Sequence, residues 1–319
     1  MIKTFNRLFT IFALFSGVAS VAAHAQDNNP ILNFGTDVRS AGMGDVIFPH
    51  SGAPLLHSNP SLIFMQKDRD LHVGYSFGAT HKGTTQGQIQ TYHATSIGYR
   101  LGGRHALFGG ARYWRGPKTI YLNNMGAKMG EVYPADATLD LGYTFKVCSH
   151  FSVYSSLTYL NTYSSRTGHA FAMSLGANYN AVLTGVKSGV YGVSISLSNI
   201  GTDITYPRDK GSRSQLPSLF GVSSAMTMGV LGDHLLTFGA AYGYRFLPSV
   251  ARLHTVGGGI EYAMPDIVSL RVGGQYEPGN SHMTLGLGRK FGAFGIDLAY
   301  TMGMYPEFNL LRAGFTLSI

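Results

Sequence analysis

From about residue 70 to the C-terminus, the chain alternates apolar and small polar residues with a period of two. In the last segment Leu311, Ala313, Phe315, Leu317 and Ile319 fall on one face, and Arg312, Gly314, Thr316 and Ser318 on the other. Leu139, Leu141, Tyr143 and Phe145 oppose Thr138, Asp140, Gly142 and Thr144 in the same way. Tyr191, Val193, Ile195 and Leu197 likewise oppose Gly192, Ser194, Ser196 and Ser198. Successive side chains of a strand point to opposite sides, so each segment reads as a strand with one apolar and one wet face. The alternation also explains a mean hydropathy of only +0.06, because every apolar residue has a polar neighbour to cancel it.

Counting these segments predicts 14 strands: 71–79, 90–101, 104–115, 135–147, 150–163, 168–184, 186–199, 216–228, 232–245, 250–263, 266–277, 280–290, 293–302 and 309–318. Most are long enough for a tilted membrane strand of about 9–11 residues. Short links, such as Gly102-Gly103 and Gly292, alternate with longer ones, such as 116–134 and 200–215. Short turns on one rim and long loops on the other are the pattern of an outer-membrane barrel. The expected fold is therefore all-β, a 14-stranded antiparallel transmembrane barrel. A soluble all-β sandwich is the alternative, but nothing in it demands the long–short rhythm. Closure is compulsory in lipid, where no water satisfies a free edge. Tyr99, Tyr113, Tyr143, Tyr159, Tyr244, Tyr262, Tyr276 and Tyr300, near strand ends, suit interfacial girdles.

Residues 1–25 read as a signal peptide, with Lys3 and Arg7 before the apolar stretch Leu8 to Ala22 and a small-x-small site at Ala23-His24-Ala25. A retained anchor is the competing reading, but the apolar run is short for a spanning helix. The barrel is then 67–319, and export places it in a Gram-negative outer membrane. Residues 26–66 do not alternate and are too apolar for an exposed tail. They predict a hatch inside the lumen, carrying Gly42, Met43 and Gly44 and a short helix started by Asn59 and Pro60, the alternative being a periplasmic extension that pairs with another protein.

Only 13% of residues are charged, against 42 glycines, 19 tyrosines and 19 phenylalanines. That excludes a charge-solvated disordered chain and argues against a helix-rich enzyme. The net charge of +8 comes from basic residues scattered singly, so no nucleic-acid surface is expected. Cys148 is the only cysteine and no two histidines stand at metal-ligand spacing, so no disulfide, metal or cofactor is expected. Gly257-Gly258-Gly259 lacks the helix and lysine of a phosphate loop and reads as relief of strand crowding. By parity Asp140, Glu261, Arg271, Asp297 and Arg312 point into the lumen, either to guide a substrate or to pair with one another and with Arg39 and Asp45 of the hatch. The loop 116–134 is unusually apolar. Its Tyr121, Leu122, Met125, Met129 and Tyr133 are either a docking surface for partners or a flap over the barrel mouth.

Several segments resemble the PorV/PorQ branch of FadL-type outer-membrane proteins, which belongs to the type IX secretion system. The stretch Asp37-Val38-Arg39-Ser40-Ala41-Gly42-Met43-Gly44-Asp45 is similar to that family's opening motif. Ser58-Asn59-Pro60-Ser61-Leu62 is similar to its helix start, with Ser58 in place of the usual tryptophan. Ser198-Asn199-Ile200-Gly201-Thr202-Asp203-Ile204-Thr205-Tyr206 followed by Leu216-Pro217 and Gly221, and Phe294-Gly295-Ile296-Asp297-Leu298-Ala299-Tyr300, complete the resemblance. It implies a FadL-like barrel with an internal hatch. As partners it implies a secretion-translocon subunit and the C-terminal domains of secreted cargo. The alternative function is a FadL-like channel for small hydrophobic compounds, and a lipid-modifying barrel enzyme is a distant third.

Overall fold

The structure, a computed structural model, describes residues 30–45, 57–65, 69–81, 89–122, 125–164, 166–207, 213–265, 267–304 and 309–319. The expected signal peptide falls outside these residues. Fourteen strands build the wall. They are β1 (Leu71–His81), β2 (Ile89–Leu101), β3 (His105–Arg115), β4 (Ala135–Lys146), β5 (Phe151–Tyr163), β6 (Thr167–Val182) and β7 (Val190–Gly201). The second half is β8 (Leu219–Gly229), β9 (Leu235–Arg245), β10 (Leu253–Met264), β11 (Val268–Tyr276), β12 (His282–Phe291), β13 (Phe294–Gly303) and β14 (Leu310–Ser318). Each pairs antiparallel with its neighbours in sequence, and β14 closes on β1, from His72 opposite Ser318 to Thr80 opposite Leu310. The sheet is thus a closed barrel without a free edge, as the alternation predicts. No helix of the described residues is long and apolar enough to cross a membrane.

Parity sorts the side chains. Leu139, Leu141, Leu157 and Phe171 stand more than 60% exposed on the outer face, while Thr138, Asp140, Thr144 and Thr158 are buried within. A wall that is greasy outside and polar inside cannot face water outward without exposing a continuous apolar belt, which fits a lipid surround. The strand ends depart from expectation mainly between β6 and β7. There the chain leaves the sheet after Val182 and rejoins at Val190, through a turn with Gly185 and Ser188 at positive φ.

Inside the barrel lie two single-turn helices, α1 (Pro30–Asn33) and α2 (Val38–Ala41), and a 3₁₀ turn over Pro60–Met65. The Asp37 carboxylate accepts from the Ser40 backbone N–H at 2.6 Å and so caps α2. Helix α1 sits at the long-loop end of the lumen, beside Trp114 near the end of β3 and Leu310 at the start of β14. Helix α2 packs against Ala299 of β13 and Gly314 of β14. The 3₁₀ turn lies toward the short-turn end, with Ile63 and Phe64 against Ala106 of β3. The described parts of the internal segment therefore lie toward both ends of the lumen, 30–34 at the long-loop end and 60–65 toward the short-turn end.

Candidate functional site

A lumen lined by Ser, Thr and Gly could hold water; here three devices tie the internal segment into it instead. The first is ionic. Arg112 of β3 forms a fork on Asp140 of β4, with Nη2 donating to Oδ1 at 2.7 Å and Nε to Oδ2 at 3.1 Å. Thr158 also donates to Asp140, at 2.6 Å, and the His57 ring lies 3.3 Å away. Arg112 Nη1 reaches the Ile31 carbonyl at 3.2 Å, so the pair also anchors α1.

On the opposite wall, Glu261 of β10 accepts from Arg271 of β11 at 2.5 Å and from Arg39 of α2 at 2.5–2.9 Å. Arg271 in turn donates to Asp297 of β13 at 2.6 Å. Arg312 of β14 forks onto Asp45, its Nη2 donating to Oδ2 at 2.7 Å. Buried charges of both signs are thus paired, which removes most of the desolvation penalty an isolated one would carry. Sequence parity points to Asp140, Arg271, Asp297 and Arg312, and each of them stands in one of these pairs. It overlooks Arg112 and His57, although Arg112 shares the inward parity of Ala106, Phe108 and Trp114 on β3.

The second device is steric. Gly259 of β10 and Gly273 of β11 stand opposite each other, and the backbone of Met43 lies directly on them. A Cβ on Gly273 would come within 2.3 Å of the Met43 carbonyl carbon, and one on Gly259 within 2.6 Å of its oxygen. Gly42 rests similarly on Gly286, and Gly44, at φ +88°, donates its N–H to Thr284 at 2.8 Å. Gly259 therefore does more than relieve strand crowding: with Gly273 it lets two backbones approach. Met43 is fully buried there against Ala225. Asn59 ties the lower part differently from a helix cap. Its Nδ2 donates to Ser194 of β7 at 3.0 Å, while its Oδ1 accepts from Ser61 at 2.5 Å.

The third device is apolar and closes the long-loop end. Ile31 and Leu32 of α1 meet Tyr92, Trp114, Leu160, Ile204, Leu216 and Leu310, all less than 9% exposed. Phe34 stacks on Tyr92, and Arg312 lies over the far side of Phe34, 4.6 Å from its centroid. Ile204 and Leu216 reach inward because β7 carries a bulge. Pairing with β6 shifts register between Met173 and Leu175, where Asn199 takes a positive φ of 59°. Asn199 is fixed by its N–H to Ser174 at 3.1 Å and by Nδ2 to the Pro217 carbonyl at 3.2 Å. The Ser198–Tyr206 stretch singled out in the sequence is thus the bend that folds the loop after β7 over the mouth.

Asp37, at the start of α2, is the titratable group of the internal segment most affected by its surroundings. Burial pushes its carboxyl up to about 6, partly offset by its hydrogen bonds with Ser40.

The loop after β3 forms a separate hairpin, Thr119–Leu122 against Lys128–Val132. Met125 and Met129 stand 90% and 71% exposed, and Tyr133 is stacked under Arg115, 4.3 Å from ring centroid to guanidinium. Tyr121 and Leu122 lie on the hairpin's first strand. Among the described residues, no cluster of three or more His, Cys, Asp or Glu side chains is placed to hold a metal.

No family model matches the chain, and no curated protein matches it. Solved structures do. The toluene transporter TbuX of Ralstonia pickettii aligns with a TM-score of 0.57 at 14% identity, over 89% of this chain and 97% of that one. The Pseudomonas putida toluene transporter TodX aligns with a TM-score of 0.57 at 12% identity, over 88% and 97%. A Pseudomonas aeruginosa FadL homologue gives 0.54 at 12% identity, over 90% and 98%. At these identities the likeness is one of fold: a FadL-like 14-stranded barrel.

Proposed function

We propose that the chain is an outer-membrane channel for small apolar compounds, exported by a cleaved signal peptide and performing no covalent chemistry. One observation carries this reading: a buried apolar cluster stands at the long-loop end of an otherwise polar, charge-paired lumen. A water-filled pore gains nothing from burying Ile31, Leu160, Ile204, Leu216 and Leu310 together at its mouth. A small hydrocarbon does, because each buried CH₂ transfers from water with about 0.8 kcal/mol. Helix α1 gives two of the ten buried residues of the cluster, Ile31 and Leu32, and a small apolar ligand could take their place. The likeness in fold to toluene transporters supports the ligand class.

Trp114 is the only tryptophan of the chain and belongs to this cluster, so its emission reports on the cluster. Titration of the purified protein with toluene and with N-phenyl-1-naphthylamine, an acceptor for tryptophan emission, is expected to quench Trp114 saturably. Unchanged emission up to the solubility limit, together with normal hydrocarbon uptake by cells lacking the protein, would refute the channel.

A second reading, assistance to type IX secretion through a translocon subunit and cargo C-terminal domains, is favoured by the hairpin that projects Met125 and Met129 away from the barrel. Met-rich exposed surface suits adaptable apolar partners. Replacing Tyr121, Leu122 and Met125 by Ser should then abolish co-purification of a translocon subunit from native membranes while leaving the barrel heat-modifiable. Unaltered co-purification removes the hairpin from that role.

A further inference from the structure

Gly78 of β1 stands directly opposite Tyr92 of β2 on one side and Arg312 of β14 on the other. The three residues share one rung of the wall, and the two large side chains turn into the lumen, each less than 9% exposed. The glycine between them leaves a gap two strand spacings wide, about 10 Å from backbone to backbone. The phenol ring of Tyr92 lines one side of the gap, and the guanidinium of Arg312 lines the other.

Phe34 fills it. Its ring lies 3.8 Å from that of Tyr92 and 8° from parallel, and Arg312 covers the opposite face at 4.6 Å from the centroid. The far edge of the ring meets Gly78: a Cβ at that position would stand 3.1 Å from Phe34 Cζ, tighter than ordinary packing. Tyr92 and Arg312 thus set the width of a slot, and Gly78 sets its depth.

Walls and occupant are held differently. Arg312 is fixed by its fork on Asp45 and by the Gly35 carbonyl at 3.3 Å, and Tyr92 lies beside Trp114, ring centroids 6.4 Å apart. None of these contacts uses the Phe34 side chain. Phe34 belongs to the link between α1 and α2, is only partly buried, and has no polar side-chain atom to strand. Rotation about its χ1 withdraws the ring and leaves a slot one flat ring thick, between a phenol and a cation. Such a slot discriminates by shape and by charge. An aromatic ring gains both from stacking on Tyr92 and from presenting its negative face to Arg312, whereas a saturated ring is thicker and has no such face.

We propose that the slot between Tyr92 and Arg312 is a subsite for one aromatic ring, and that Phe34 is its internal placeholder, displaced when a ligand ring enters. The inference rests on the channel reading and deepens it: flat aromatic rings are preferred over saturated rings of the same carbon skeleton.

The test is headspace partition of toluene and of methylcyclohexane over the purified full chain in detergent, measured against detergent alone. Methylcyclohexane is the more apolar of the two, so burial by itself favours it. Phe34→Ala vacates the slot and should tighten toluene binding about tenfold, but methylcyclohexane binding less than about threefold. In F34A/G78L the leucine refills the space that the ring leaves, so the barrel keeps its packing and the gain for toluene should disappear. Equal changes for the two compounds, no gain in Phe34→Ala, or a gain that survives in F34A/G78L would each overturn the subsite. Binding of both compounds without discrimination removes the slot and leaves the channel standing. Binding of neither, in the unaltered protein and in both variants, overturns the channel and the slot together.

Discussion

Phe34 of the internal segment lies flat on Tyr92 of the wall, ring centroids 3.8 Å apart and planes 8° from parallel. Tyr92 continues to Trp114 at 6.4 Å, and Arg312 covers the other face of Phe34 while holding Asp45. The stack thus joins the apolar cluster to the Arg312–Asp45 pair. In a double-mutant cycle with Phe34→Leu and Tyr92→Leu, the coupling energy should be about 0.5–1.5 kcal/mol, the range for aromatic pairs beyond area burial. Each single variant should shift Trp114 emission to the red as α1 loosens and water enters. Emission indistinguishable from the unaltered protein would mean that α1 is held by other contacts.

Asp140 accepts from Arg112 and Thr158 in a site where neither charge reaches solvent. Asp140→Asn leaves the guanidinium buried without a counter-charge and should cost about 3–5 kcal/mol. Replacing both partners, Arg112→Met with Asp140→Leu, should recover most of that loss because no charge is stranded. The temperature at which the folded form disappears in a heat-modifiability gel reads both. A double variant no more stable than the single one would rule out the stranded charge as the cause.

Gly273→Val places side-chain atoms where the Met43 backbone now sits. The internal segment should leave the wall while the barrel stays closed. Arg39 is the one tryptic site between residues 30 and 45, so cleavage there reports release. Gly103→Ala is the control, since nothing lies within 4 Å of a Cβ at that turn. Rapid cleavage after Arg39 is expected only in the first variant.

The Asp37 carboxyl, raised to about 6 from 3.8 by burial, gives docking of the internal segment a pH dependence. Between those values the docked state binds more protons than the released one, so docking strengthens as pH falls from 7 toward 4 and weakens as it rises through about 6. Trypsin is active at the upper end of this window; pepsin-free hydrogen exchange of residues 38–45 covers the lower. Protection should be greater at pH 5 than at pH 7.5, and the difference should vanish in Asp37→Asn. A difference retained in that variant would assign the pH dependence to another group.

Much of the wall is legible in the sequence because strand parity is local. Thr138, Leu139, Asp140 and Leu141 alternate faces whatever the rest of the chain does, so the lumen position of Asp140 follows from its neighbours alone. The hatch motif is legible only as an irregularity: the glycines at 42 and 44 carry no sign of which strands they meet. Arg112 was missed because one arginine among alternating residues looks like any rim cation until β4 brings Asp140 alongside. Asn59 reads as a helix cap by its place before Pro60, yet its amide is taken by Ser194, a residue of the facing wall.

Period-two alternation and the spacing of turns therefore determined, from the sequence by itself, the strand number, the inner and outer faces, and the two unequal rims. Each depends on residues a few positions apart. Closure of the barrel decided the rest. It brought Arg39 to Glu261 across 222 positions and Asp45 to Arg312 across 267, and set Met43 on a glycine saddle. Such contacts follow from strand register and curvature around the whole cylinder, which no local pattern encodes.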